Sequence, residues 1–218
     1  MEWEPFYLSA KLAFWTMLII PFIAAPIACM LAFGRFAGKS AVDALVSLPM
    51  VLPPTVLGFW LLVIMGPHGS LGMFWENMTG QRLVFSFMGI LLASLVFNLP
   101  FAVQPLRAAF EKLDHRLLES AAILGLTRTQ AFVRVIIPNS LGGLAASSIL
   151  VFAHSLGEFG VILMVGGSIP GETKVASVAI FEAVEALRFD DAFLMSAALV
   201  PVSFVVLLII NRINGRRS

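Results

Sequence analysis

Five stretches of this chain are apolar for long enough to cross a bilayer, and no other feature limits its fold so severely. A spanning helix needs roughly 20 mostly apolar residues. Residues 12–33, 45–65, 83–103 and 192–210 meet that requirement directly. Residues 141–165 meet it with His154 and Glu158 as interruptions. Charged residues make up 12% of the chain, against about 25% in a soluble domain. The expected fold class is therefore an all-α integral membrane protein with five transmembrane helices, organised as one membrane domain over residues 1–218.

An odd number of spans puts the termini on opposite sides. The loop after the first span, the loop after the third and the C-terminus together hold Arg35, Lys39, Arg107, Lys112, Arg116, Arg128, Arg134, Arg212, Arg216 and Arg217. The other side holds Lys11, Arg82, Lys174 and Arg188. Basic residues accumulate in cytoplasmic loops, so the N-terminus is expected outside and the C-terminus inside. Glu2 and Glu4 open the chain where a secretory signal would be basic, and no cleavable signal is expected. The net charge of +1 offers no basic field for nucleic acid. Cys29 is the single cysteine and lies in an apolar run, so it reads as a small core residue.

Proline punctuates the spans: Pro21 and Pro26 in the first, Pro53 and Pro54 in the second, Pro201 in the last. Each removes a backbone donor and bends its helix, which neighbouring helices can compensate. Residues 173–187 read as a short outer helix, too charged to span, either re-entrant or lying on the surface.

The most informative polar stretch is the loop at residues 104–137. Residues 111–124 read as a helix with Leu113, Leu117, Ala121 and Leu124 on one face. Gly125 stands where a helix end favours left-handed backbone. Thr127 and Gln130 form a capping box that starts a second helix. That helix is expected to stop before Pro138, with Asn139 or Ser140 capping the next span. Leu118, Ala122, Ile123 and Leu126 lie off the apolar stripe. A solvated helix has no use for them, whereas a helix set into a partner's groove does. Glu119 can also simply pair with His115 or Arg116 on its own helix.

These residues carry a resemblance. Glu119-Ser120-Ala121, Gly125 and Val135-Ile136-Ile137-Pro138 are similar in type and spacing to the EAA loop of permease subunits in bacterial ABC importers. The resemblance implies a type I importer-like fold, with Glu119, Ser120, Ala121, Gly125 and Pro138 docking on a separate ATP-binding subunit. Leu48-Pro49-Met50-Val51-Leu52-Pro53-Pro54-Thr55-Val56-Leu57-Gly58 looks like the second span of molybdate permeases. So does the stretch from Ala153 to Gly160, followed by Ser168-Ile169-Pro170-Gly171-Glu172-Thr173. Sulfate permeases share the Gly-Glu-Phe-Gly element. The resemblance thus implies an oxyanion importer, most like molybdate permeases, with sulfate, thiosulfate or tungstate as alternatives. It also implies a homodimer in the inner membrane, a dimer of ATPase subunits carrying ATP and magnesium, an extracytoplasmic oxyanion-binding protein and a lipid surround. No cofactor is implied for this chain.

Ser155, Gly157, Glu158, Phe159 and Gly160 are candidates for the gate or pathway. An acid within a span marks function by default. A structural hydrogen bond, a salt bridge to an outer Arg or Lys, or a pair with His154 would each accommodate Glu158; contact with an anion would not, since like charges repel. No phosphate loop, nucleophile with base, or third metal ligand accompanies these residues, so the chain is not expected to be an enzyme. An ion-coupled secondary transporter would show repeated halves and several intramembrane ionisable residues, and the sequence has neither. A non-transporting scaffold would not need the docking loop and bent spans together.

The charge asymmetry makes a direct prediction. In a Cys29→Ala background, a cysteine at Ser70 is expected to react with an impermeant thiol reagent in intact cells, and one at Ser218 is not. The opposite labelling pattern would reverse the orientation.

Overall fold

The computed structural model describes residues 3–215, and every regular element among them is helical. Glu2, Arg216, Arg217 and Ser218, used in the charge and labelling arguments, lie outside the described residues. In chain order the helices are α1 (Glu4–Phe33), α2 (Lys39–Val51), α3 (Pro54–Met65), α4 (Ser70–Thr79), α5 (Phe87–Glu111) and α6 (His115–Ile123). Then come α7 (Arg128–Ala131), a π-helical stretch (Phe132–Ile136), α8 (Ile137–Asn139), α9 (Leu141–Leu156), α10 (Gly160–Gly166), α11 (Ala176–Glu185) and α12 (Phe189–Gly215).

The all-α class holds, but five unbroken spans do not. Two helices, α1 and α5, are each long and apolar enough to cross a membrane alone. The run at 45–65 is two helices, α2 and α3, meeting at 111°. Its break is at Leu52 and Pro53, both extended, and Pro54 opens α3 in the first turn, where a missing N–H costs nothing. The run at 141–165 is also two helices. α9 ends at Gly157 after 16 residues, about 24 Å of rise and short of the bilayer core. α10 resumes at Gly160. The outer spans run longer than their apolar stretches: α1 begins at Glu4, and α12 extends from Phe189 to Gly215.

α5 departs furthest from expectation. It starts at Phe87 rather than Leu83, because Ser86 Oγ accepts the Gly89 N–H at 3.1 Å and caps the first turn. It then continues through Pro100 and Pro105 to Glu111, so the polar loop begins after Glu111 and not at Gln104. Packing on both sides offsets the lost backbone bonds. At Pro105's level, Ser147 Oγ of α9 donates to the Ala102 carbonyl at 3.0 Å.

α1, α5 and α9 pack together around Leu12, Ile20, Leu31, Ile90, Leu106 and Phe110. Small residues let the backbones approach, since helices in lipid associate by close packing and not by leaving water. Ala13, Ala24 and Ala28 of α1 are fully buried. α3 and α10 pack on each other, with Gly58 against Val161 and Met164. α11 lies against α1 and α12 and carries the Lys174–Glu182 ion pair at 2.6 Å. Burial pushes the Glu182 carboxyl up, and Lys174 more than offsets it, leaving it below the usual range. The outward faces remain apolar, with Phe14, Trp15, Leu18 and Phe22 exposed on α1, as helices solvated by lipid require.

Gly143 on α9 meets α5 so closely that an added Cβ would run into Ala109. Gly143→Val is therefore expected to destabilise the protein by about 1–3 kcal/mol, the usual cost of overpacking. Thermal unfolding in detergent measures this, and an unchanged midpoint would show that the α5–α9 contact yields freely.

Candidate functional site

The two broken runs come together. Pro54 and Thr55 at the start of α3 face Gly157, Glu158, Phe159 and Gly160 at the break between α9 and α10. With Phe97, Ala153 and His154 they line an open cleft of about 580 Å³. Gly160 is tightly placed, since an added Cβ would press on Pro54. Phe159 leaves the helical path and packs against Phe181 of α11 with ring centroids 4.8 Å apart.

Behind this cleft lies a buried polar cluster centred on Glu158, which is 4% exposed. Its Oε2 accepts from Ser94 Oγ at 2.7 Å and from Asn98 Nδ2 at 3.1 Å. Ser94 and Asn98 sit one turn apart on α5, so both donors reach one oxygen. Ser94 Oγ also lies 2.9 Å from Ser155 Oγ of α9 and accepts from Thr16 Oγ1 of α1 at 3.2 Å. The Glu158 backbone carbonyl accepts from Ser177 Oγ of α11 at 2.6 Å. One residue at a helix break thus ties α1, α5, α9 and α11 together. Glu158 Oε1 is buried without a hydrogen-bond partner.

Three expectations for Glu158 now separate. No Arg or Lys pairs with it among the described residues, so the salt bridge is overturned. His154 does not pair with it either: His154 Nδ1 lies 2.9 Å from Asn98 Oδ1, and its ring stacks on Phe101 at 3.9 Å. Asn98 stands between the two, because its amide nitrogen donates to the Ser94 carbonyl and to Glu158 while its oxygen faces the imidazole. The structural hydrogen bond is the form observed. Ser94 and Asn98 went unread in the sequence, although two polar residues four apart in an apolar run mark a helix face with work to do. Among the described residues no cluster of three His, Cys, Asp or Glu could hold a metal.

The polar loop forms a second site. α6 begins at His115, not Glu111, because Asp114 caps it by accepting the Arg116 N–H at 2.9 Å. At its other end Gly125 has φ +72°. The Gly125 N–H donates to Ala122 O and the Leu126 N–H to Ala121 O, each at 3.0 Å, which closes a Schellman end. The capping box is present: Gln130 N–H donates to Thr127 Oγ1, and Thr127 N–H to Gln130 Oε1.

The faces of α6 are rotated from the expected stripe. Leu118 and Ala121 turn inward, while Leu117 and Leu124 are exposed. Ile123 is 86% exposed, Ala122 is exposed, and Glu119 makes no ion pair with His115 or Arg116. Ser120 Oγ donates to the Arg116 carbonyl at 2.7 Å. Pro138 does not end the second helix. The π-helical stretch carries the chain to Ile137, where Pro138 again falls in a first turn that needs no donor. Neither expected cap of α9 forms: Asn139 donates back to Val135 O, and the buried Ser140 Oγ has no partner.

Comparisons with known proteins agree with this architecture. Residues 17–217 match the family described as the binding-protein-dependent transport system inner membrane component. The molybdenum transport system permease protein ModB of Azotobacter vinelandii is 44% identical over 200 residues, covering 92% of this chain and 88% of that protein. The sulfate transport system permease protein CysT of Synechocystis is 34% identical, covering 88% of this chain and 67% of that protein. A solved bacterial ABC transporter involved in alginate import shares the fold at a TM-score of 0.76 and 20% identity, covering 98% of this chain and 78% of that one.

The cluster makes a stability prediction. Glu158→Ala leaves two buried donors competing for fewer acceptors and is expected to cost about 1–3 kcal/mol. Glu158→Gln keeps an oxygen for Ser94 and Asn98 and is expected to cost distinctly less. Thermal unfolding of both variants in detergent tests this, and equal losses would show that the two hydrogen bonds to Oε2 do not hold the break.

Proposed function

The chain belongs to the family of binding-protein-dependent transport system inner membrane components, and from that premise we propose that it is the permease subunit of an ATP-driven molybdate importer. The geometric observation that supports the permease role is the α6–Gly125–α7 corner. It is rigidly closed on the protein side and presents Ile123, Leu124 and Leu117 outward. Exposed apolar side chains on a capped helix suit insertion into a groove. The choice of molybdate rests on the 44% identity to a molybdenum permease, higher than the 34% to a sulfate permease. Sulfate is the second reading, supported by that same sulfate relative over 88% of this chain.

In this reading the protein is a single permease domain with its N-terminus outside and the polar loop in the cytoplasm. Two copies enclose the pathway, an extracytoplasmic protein delivers the anion, and a pair of ATPase subunits grips the two loops. Glu119, Ser120, Ala121, Gly125 and Pro138 belong to the docking element. Nucleotide and magnesium are held by the ATPase, which supplies hydrolysis; this chain supplies the loop and the pathway. Closure of the ATPase pair draws the loops together, and α5 and α9, which flank the loop in sequence, carry that movement to the cleft. Ser155, Gly157, Glu158, Phe159 and Gly160 form the moving wall, with Glu158 fixing its shape and the anion passing without touching the carboxylate.

The test is reconstitution with the ATPase and the binding protein, with uptake followed by elemental mass spectrometry. ATP-dependent uptake favouring molybdate over sulfate is expected, and preference for sulfate would support the second reading. Gly125→Val should abolish coupling. An added Cβ meets no atom within 4 Å there, so the penalty is conformational, about 1–2 kcal/mol or more for left-handed backbone. Unchanged ATPase co-purification and uptake would remove the corner from the docking role.

A further inference from the structure

The break at Leu52 and Pro53 has no obvious link to the polar loop, yet the cleft it borders must respond to that loop. α2, the cytoplasmic half of this broken run, is thinly packed. Only Val46 and Pro49 are buried in its 13 residues, and Leu45, Leu48, Met50 and Val51 are exposed. It packs mainly on α5. The seam is polar as well as apolar. Val42 and Val46 pack on the core, and beside them Asp43 and Ser47 face Gln104 and Arg107 of α5. Arg107 Nη1 donates to Asp43 Oδ2 at 2.8 Å, and its Nε donates to Glu111 Oε1 at 2.8 Å. Gln104 Nε2 donates to Ser47 Oγ at 2.9 Å and to Asp43 Oδ1 at 3.3 Å.

Glu111 is the last residue of α5, and Asp114, which caps α6, follows three residues later. Arg107 therefore sits one turn above the hinge of the docking loop with one arm of its guanidinium on that turn and the other on α2. A planar fork holding two carboxylates fixes direction as well as distance. A pair this exposed adds little to stability. Its geometric effect is that α2 cannot slide along α5 without breaking it.

We infer that Arg107 is a positioning residue for coupling: through Asp43 it makes α2 follow the cytoplasmic end of α5, so that movement of the loop reaches the break at Leu52–Pro53. The inference rests on the ATP-driven permease reading. α3 begins one residue beyond that break, and its first residues, Pro54 and Thr55, line the cleft. A shift of α2 therefore bears on the cleft wall opposite Glu158, while α9 bears on the other wall.

The experiment uses the complete complex with ATPase and binding protein, in proteoliposomes, and reads oxyanion taken up per ATP hydrolysed. Arg107→Met and Asp43→Asn are each expected to lower that ratio by about fivefold or more while the complex still assembles and hydrolyses ATP. Because the two act as one contact, the double variant should be no worse than the poorer single. Arg107→Lys keeps charge without the fork and should fall between. Glu111→Gln removes only the partner within α5 and should stay within about twofold of wild type. Uptake and hydrolysis falling in equal proportion would make the contact merely structural and overturn the inference, as would strictly additive losses. A wild-type complex without ATP-dependent oxyanion uptake would overturn the functional reading itself. Wild-type uptake with an unaltered ratio in the variants would overturn the inference alone.

Discussion

A carboxylate can be buried at a helix break only where something else supplies hydrogen bonds, and here that is one face of α5. Ser94 and Asn98 both reach Glu158 Oε2, and Ser94 Oγ is shared with Thr16 and Ser155. Remove this face and α9 has no reason to stop at Gly157, nor α10 to pack against α3. An unsatisfied polar group in a membrane interior costs several kcal/mol, so the position of the break depends on its partner helix. The cleft exists because α9 and α10 are held out of line there.

The same logic governs the first broken run by different means. Two consecutive prolines interrupt the helix without any polar cluster, and the exposed faces of α2 leave its placement to the seam with α5. One wall of the cleft is thus set by backbone chemistry and the other by side-chain hydrogen bonding. The two walls converge on α5, whose own Pro100 and Pro105 are carried by neighbours.

Much of this was legible in the chain. The apolar runs announced an all-helical membrane protein, because period and length suffice for that. Gly125 and the Thr127–Gln130 box were readable because their bonding is local. The breaks at Pro53 and Gly157 were not, since hydropathy is blind to direction. Ser94 and Asn98 lie about 60 residues from Glu158, and no spacing rule connects them. Asp114 was missed because Leu113 continues the apolar spacing past the true start of α6. Asp43 fell outside the apolar stretch that marked the second span, although α2 starts at Lys39.

The π-helical stretch at Phe132–Ile136 bears on how such a loop can vary. Its closing bond runs from the Ile137 N–H to the Phe132 carbonyl, five residues back in place of four. The helix holds one residue more than its axial length needs. Deleting a residue here would leave an ordinary α-helix that is still continuous, but everything after it would be turned by about 100°. α9 would then present a different side to α5, and Ser147 and Ser155 would lose their partners together. The interval between the glycine corner and Pro138 is thus a rotational setting, and relatives can change its residues far more readily than its length.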